Sequence, residues 1–487
     1  MKRFFRKIYL LLALFIGIST LNSCKKDEPT EIENINHFIN DCFNFFYLWN
    51  NQLPSHNAAK ETDPYAFFDK MKYKEDKWST LTNDVRAMKE SFSGEEMTFG
   101  YSLSFYSTES DSIFAVVRYV HPDSPAEAVG LKRGDIILKV NGNNITESNY
   151  LTLYHSSSLS LSMAKYENEN LELTGETISL NAVKTYMNPI IAYKIIDIGT
   201  HKIGYLHYSD YLLKSHGDLE AVFKEFKDSN VSDIVLDLRY NGGGYAITSQ
   251  FLCSMLLPRG YLNGKNIYLQ ELWNDDYMNY FKNSKIDVNQ YFSNPIIEKD
   301  GDGNEKMSIS VNVNFVSLQR VYILTGKGTA SASEATIVGL MPYMDVYQIG
   351  DTTHGKFCGG SIISPEIAYY TSGSSPKWID GIKNWGTYMM LYRYKNAHDY
   401  PNQAVGLAPD FLVEEDIVRY PYALGDENEP LLAKALELIT RISKKDAALK
   451  TTPIQNYRPA NELKVPQKAT HGKMIGNQPN LHFSTED

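Results

Sequence analysis

The chain has 487 residues, a formal net charge of −10, 43% hydrophobic and 22% charged residues. This is an ordinary globular composition, long enough for roughly three domains of about 150 residues, and it excludes a fibrous or wholly disordered chain. No basic block interrupts the body of the sequence, which argues against nucleic acid as a partner.

The first residues combine a basic stretch, "MKRFFRK", with an apolar run, "IYLLLALFIGI" (8–18), too short to span a bilayer and of the length of a secretory signal. The run closes on "LNSC" (21–24), which resembles a bacterial lipoprotein lipobox and implies removal of residues 1–23 and lipidation of Cys24. The following "KKDEPTE" resembles the export signals of some Bacteroidetes lipoproteins. The expected place is therefore the cell envelope, on the outer membrane through a lipid anchor, facing the periplasm or the cell surface. Residues 24–34 read as a tether. The other cysteines, Cys42, Cys253 and Cys358, are too few and too scattered for a disulfide framework, and no CxxC or His cluster suggests a metal.

Residues 35–95 read as an N-terminal helical domain. In it, Ile35, Phe38, Ile39, Cys42, Phe45 and Phe46 recur at helical spacing and Pro54 stops the pattern. From 96 to 184 the pattern changes to strands and turns, with "SIFAVVRYV" (112–120) as a β-run. The segment "SPAEAVGLKRGDIILKVNG" (124–142) resembles a PDZ domain, a β-sandwich or barrel-like module that binds peptides by strand addition. The resemblance places the family's carboxylate loop on Gly100, Tyr101, Ser102 and Leu103 and implies docking of a free C-terminus.

From 185 to 445 strands and helices alternate, the pattern of an α/β sheet. Three loops after strands carry the chemistry. "DLRYNGGGY" (237–245) places three glycines after a buried strand, where a tight turn can expose N–H groups. "GTASASEA" (328–335) puts Ser331 at the start of a helix, where unpaired amides can stabilise an oxyanion. "THGK" (353–356) follows the next strand, and a lysine in a water-poor pocket can serve a serine as general base. His354 as base and Ser333 as nucleophile are the rivals within these loops. The Ser-x-x-Lys runs at 162–165 and 374–377 lack the partner motifs of penicillin-binding enzymes. "DGDGNE" (300–305) lacks the ligand spacing of a calcium loop and reads as a hairpin turn. Residues 446–487 read as a polar, aperiodic tail, with disorder the default.

The three loops together resemble the S41 family of serine peptidases, the C-terminal processing proteases. The resemblance covers about residues 35–440, including "GLAPDFLV" near its end. It implies a multidomain α+β chain whose last domain has the crotonase-like α/β fold. It also implies a Ser331–Lys356 dyad acting on protein or peptide substrates, with no cofactor or metal. The oxyanion hole would use the backbone N–H groups of Gly243 and Ala332. Two positions depart from the family. Gly360 stands where many members carry a glutamine that orients the lysine, and Gly242 stands for the usual proline. A catalytically weak or inactive peptide-binding scaffold of the same fold is the alternative reading.

Overall fold

Helix α1 (Glu31–Phe45) begins where Thr30 Oγ1 accepts the Glu33 N–H and Glu33 Oε2 accepts the Thr30 N–H, a reciprocal cap. The computed structural model describes residues 29–108, 112–167, 170–299, 305–315, 318–369, 375–401, 404–441, 457–460 and 473–475. Ile35, Phe38, Ile39, Cys42 and Phe43 form the buried face of α1, while Phe45 is 41% exposed. The expectation for Phe45 is thus corrected. Phe43 lies four residues after Ile39 on the same stripe, and Phe45 lies six after it, round the far side. Helices α2 (Pro64–Met71) and α3 (Val85–Phe92) start at Asp63 and Asp84, whose carboxylates accept first-turn N–H groups. These helices share one core with the last domain, Phe38, Phe43 and Trp49 joining Tyr388 and Met390.

Five strands form the next unit: β1 (Tyr101–Thr108), β2 (Ile113–Val120), β3 (Ile136–Val140), β4 (Ser158–Glu167) and β5 (Asn170–Asn181). They run antiparallel in chain order over a separate core that includes Leu103, Val117, Ile137 and Leu161. Ser162 and Lys165 both lie on β4, three residues apart, and so point to opposite faces of the sheet. That disposes of the first Ser-x-x-Lys run. Ser374 of the second lies outside the described residues.

The last domain is built on a sheet of β6 (Ile190–Ile198), β7 (His201–Tyr208), β8 (Asp233–Asp237), β12 (Arg320–Thr325), β13 (Asp345–Gly350) and β16 (Phe411–Leu412), in that spatial order. All neighbours pair in parallel except β6 with β7. Between β7 and β8 runs α4 (His216–Asp228). After β8 come the short strand β9 (Gly243–Tyr245) and α5 (Ala246–Leu256). Helix α6 (Ala332–Leu340) follows β12. Every residue of α5 and α6 is buried, because the two helices lie between the parallel sheet and a second sheet. That second sheet holds β10 (Asn263–Trp273), β11 (Asn289–Ser293), β14 (Cys358–Ile363) and β15 (Gly386–Lys395). On the opposite face of the parallel sheet, α7 (Pro430–Thr440) buries Leu431, Leu432 and Ala435 against Val235, Tyr322 and Ile349. The strands flanking "DGDGNE", Ile296–Lys299 and Glu305–Ile309, pair antiparallel.

Two described pieces of the C-terminal tail are strands, where the composition had suggested disorder. Strand β17 (Tyr457–Pro459) pairs antiparallel with the open edge of β1. Strand β18 (Lys473–Ile475) lies between β9 and β14, parallel to both. The acceptor edges explain the difference. Three-residue strands carry no periodicity of their own and form only where a neighbouring strand offers unpaired N–H and C=O groups.

Candidate active site

The glycine turn, Ser331 and Lys356 follow the C-terminal ends of three adjacent parallel strands, β8, β12 and β13. In open α/β sheets that edge is where ligands bind. Ser331 sits at the hinge between β12 and α6 with φ 62° and ψ −113°. A positive φ is strained for a residue with a side chain, and strain of this kind clusters at functional sites. The serine sits at the tip of a strand–turn–helix elbow. Small neighbours permit it: a Cβ on Gly243 would come within 2.7 Å of Ser331 Cβ and 3.0 Å of Ala332 N. Gly243 therefore lies directly against the serine.

One buried carboxylate ties the serine and lysine segments together. Glu334 Oε2 accepts the Ser331 N–H (2.8 Å) and the Lys356 N–H (3.0 Å). Its Oε1 accepts the Gly355 N–H (2.8 Å) and the Thr353 hydroxyl (2.6 Å). Burial raises the Glu334 carboxyl to about 6, against the lowering effect of these four donors. Glu334 lies in the first turn of α6, and its carboxylate holds the two loops in register. From the other side, Tyr394 Oη lies 3.1 Å from Ser331 O and 3.3 Å from Lys356 O, its proton shared between them.

Ser331 and Lys356 are both fully buried. Ser331 Oγ makes no hydrogen bond. Lys356 Nζ donates to Tyr388 Oη (3.1 Å) and lies 5.2 Å from the Tyr388 ring and 5.8 Å from that of Trp78. Tyr388 on β15 thus takes the lysine in a chain that has Gly360 in place of glutamine. A Cβ at Gly360 would meet Met389 O at 2.4 Å, so no side chain fits there without backbone movement. Nothing in the local sequence marks Tyr388, which is 32 residues from Lys356 and one of 34 tyrosines.

The two amides expected to form the oxyanion hole differ in their present partners. The Gly243 N–H donates to Asn241 Oδ1 (2.8 Å), because Asn241 closes the glycine turn on itself. Ala332 opens α6, so its N–H has no acceptor within the helix. The turn is anchored from beneath. Arg239 donates to Asp237 Oδ1 (2.9 Å), to both oxygens of Glu429 (2.5 and 2.8 Å) and to Glu415 (3.1 Å). Arg133 of the "KRGD" turn also reaches Glu415 (2.7 Å) and Tyr240 Oη (2.7 Å), which joins the five-stranded unit to the glycine turn.

The rival groups lie elsewhere or are engaged. Ser333 Oγ donates to Asn241 O (3.0 Å). The backbone N–H of His354 donates to Thr329 O (2.8 Å), and burial lowers its imidazole below the usual histidine range. Cys358 Sγ packs 3.3 Å from Met390 Sδ, and burial raises its thiol, which leaves it inert. Gly100 takes φ 87° just before β1, while Tyr101 and Leu103 are buried in the five-stranded core and Ser102 is half-buried. Cys24 lies outside the described residues. Among the described residues no cluster of His, Cys, Asp and Glu could hold a metal, and no helix is long and apolar enough to cross a membrane.

Three family descriptions match in the order of these units. They are the peptidase S41 N-terminal domain over residues 34–80, a PDZ domain over 116–153, and peptidase family S41 over 202–413. The chain belongs to peptidase family S41. The last match contains the glycine turn, Ser331 and Lys356, and the first contains Trp78 beside the lysine. The chain is 22% identical over 312 residues to the C-terminal processing peptidase of Tetradesmus obliquus, covering 61% of this chain and 56% of that one. It is 26% identical over 324 residues to carboxyl-terminal-processing peptidase 2 of Arabidopsis thaliana, covering 64% and 52%. It thus spans about half the length of these two curated relatives. A crystal structure from Bacteroides fragilis assigned to the S41 proteases superimposes with a TM-score of 0.65 at 24% identity. It covers 83% of this chain and 97% of that one, and it supports the S41 fold with helical, PDZ and α/β parts.

Proposed function

We propose that the chain is a serine endopeptidase of the C-terminal processing type, with Ser331 as nucleophile and Lys356 as general base. The observation that carries this reading is the Glu334 clasp, which binds the backbones of a strained, unbonded serine and a buried lysine to one carboxylate. In the proposed cycle Lys356 turns from Tyr388 to Ser331 Oγ and, as the neutral amine, takes its proton during attack on the substrate carbonyl. The Ala332 N–H and a glycine-turn amide receive the oxyanion, Gly243 exchanging Asn241 Oδ1 for it. The lysine returns the proton to the leaving amine, and water resolves the acyl-enzyme.

Labelling with a serine-directed fluorophosphonate tests this. The wild type should label at Ser331, faster at higher pH, and both Ser331→Ala and Lys356→Ala should abolish labelling. A folded wild type that labels at no pH would instead favour the alternative, a peptide-binding scaffold of the same fold. One observation favours that alternative: Lys356 Nζ faces Tyr388, and Ser331 Oγ has no partner.

The edge of β1 beside Gly100–Leu103 is proposed to dock substrate peptides, and Cys24 to carry the lipid that holds the enzyme at the outer membrane. An acyl-modified mass on the mature N-terminal peptide, lost in Cys24→Ala, checks the anchor.

A further inference from the structure

The second sheet runs β9–β18–β14, so among the described residues only the tail strand β18 connects the glycine-turn strand to the strand that follows Lys356. Without it, β9 and β14 face each other across a gap one strand wide, about 9.6 Å at two strand spacings. Both walls are strand edges with ladder groups to satisfy. The register puts the Lys473 backbone beside Gly243, which lies directly against Ser331. Upstream, β17 pairs with Thr108, Ser107 and Tyr106 of β1, and the Ala460 N–H donates to Phe105 O (3.0 Å). Antiparallel addition of this kind is how such domains take peptides. The chain there runs toward the Gly100 loop, the direction of a docking C-terminus. Tyr457 and Ala460 are both buried in this contact.

We propose that the gap between β9 and β14 is a slot for an extended polypeptide, bound parallel to β9, and that the chain's own C-terminal segment fills both this slot and the β1 edge. The tail is then a ligand in cis that excludes substrate until displaced. The regulatory part rests on the reading of Ser331 as the nucleophile; the docking part does not. Twelve residues separate the two strands' described ends, 460 and 473. A linker of that length gives the second strand an effective concentration on the order of 1 mM. For a slot affinity on the order of 0.1 mM, release would raise the open fraction about tenfold.

Full-length variants test it. Met474→Pro removes a ladder N–H from the middle of β18. Ser107→Cys/Arg458→Cys adds a disulfide across a paired position whose side chains already meet, Arg458 Nε lying 3.4 Å from Ser107 Oγ. A peptidyl phosphonate, which must enter the slot, should label Ser331 about tenfold faster in Met474→Pro than in the wild type. It should label the oxidised double-cysteine protein no faster than wild type. Hydrogen exchange at Gly244, which pairs with Met474 while the Gly243 and Tyr245 N–H groups donate to Asn241 and Tyr211, should accelerate about tenfold in Met474→Pro, a readout independent of catalysis. Equal labelling and equal exchange in wild type and Met474→Pro would overturn the proposal. Ser331-dependent loss of the tail by intact mass would make it a substrate and overturn the inhibitory assignment. If no protein labels but exchange still accelerates, the nucleophile reading fails and the docked tail stands.

Discussion

Replacing Glu334 by glutamine should separate its effect on catalysis from its effect on stability. The carboxyl is raised from 4.5 to about 6, so ionising it in the folded protein costs about 2 kcal/mol at 1.36 kcal/mol per pKa unit. The sign follows directly. A raised carboxyl gives its stabilisation in the protonated form, fully below about pH 4.5, and loses it as the pH rises through about 6. A neutral glutamine escapes the ionisation cost. Its amide group best faces Thr353, whose hydroxyl can turn to accept, and this leaves the Gly355 N–H unpaired for about 1–3 kcal/mol. The two effects nearly offset, so stability should change by no more than about 2 kcal/mol. Activity should not be spared. The Lys356 segment would hang on fewer bonds, and a displacement of about 1 Å at a reacting group lowers the rate about a hundredfold. Urea unfolding and kcat/KM on an unstructured peptide, measured side by side, decide the matter. Wild-type activity should also decline below about pH 6, a limb absent in the glutamine variant. Retained activity within threefold, or a stability loss above about 5 kcal/mol, would refute the clasp as a positioning device.

Tyr388→Phe removes the acceptor for Lys356 Nζ and should lower kcat about tenfold with KM unchanged; steady-state kinetics would show Tyr388 as mere packing if kcat holds. Gly243→Ala puts a Cβ 2.7 Å from Ser331 Cβ at φ 108°, and fluorophosphonate labelling should slow at least about a hundredfold while circular dichroism stays native. Arg239→Met strands Asp237, Glu429 and Glu415 without their shared guanidinium and should destabilise the domain by about 3–5 kcal/mol in chemical unfolding. A loss under about 1 kcal/mol would show the network to be replaceable.

The three loops of the candidate site were legible because each follows a buried strand and carries features that ordinary loops lack: consecutive glycines, a small-residue elbow with its serine, a lysine after a strand end. The partners of these loops were not. Tyr388, Tyr394 and Trp78 arrive from distant segments as ordinary core aromatics, and only the pairing of β14 with β15 brings Tyr388 to the lysine. The Asn241 side chain's return to the Gly243 N–H is a turn detail that composition cannot distinguish from an open glycine loop. Helix α1 was readable from its stripe, and the exchange of Phe45 for Phe43 arose at its last turn, where periodicity is weakest. The tail strands were invisible because the stretch has no pattern of its own and takes its shape from edges hundreds of residues away.

The most direct test of the dyad is to mix the protein with an activated peptide ester and follow the acyl-enzyme by rapid quench and mass spectrometry. The account predicts a burst of adduct on the peptide that contains Ser331, forming at least about a hundredfold more slowly in Lys356→Ala. An adduct on another residue, or equal bursts in wild type and Lys356→Ala, would contradict it.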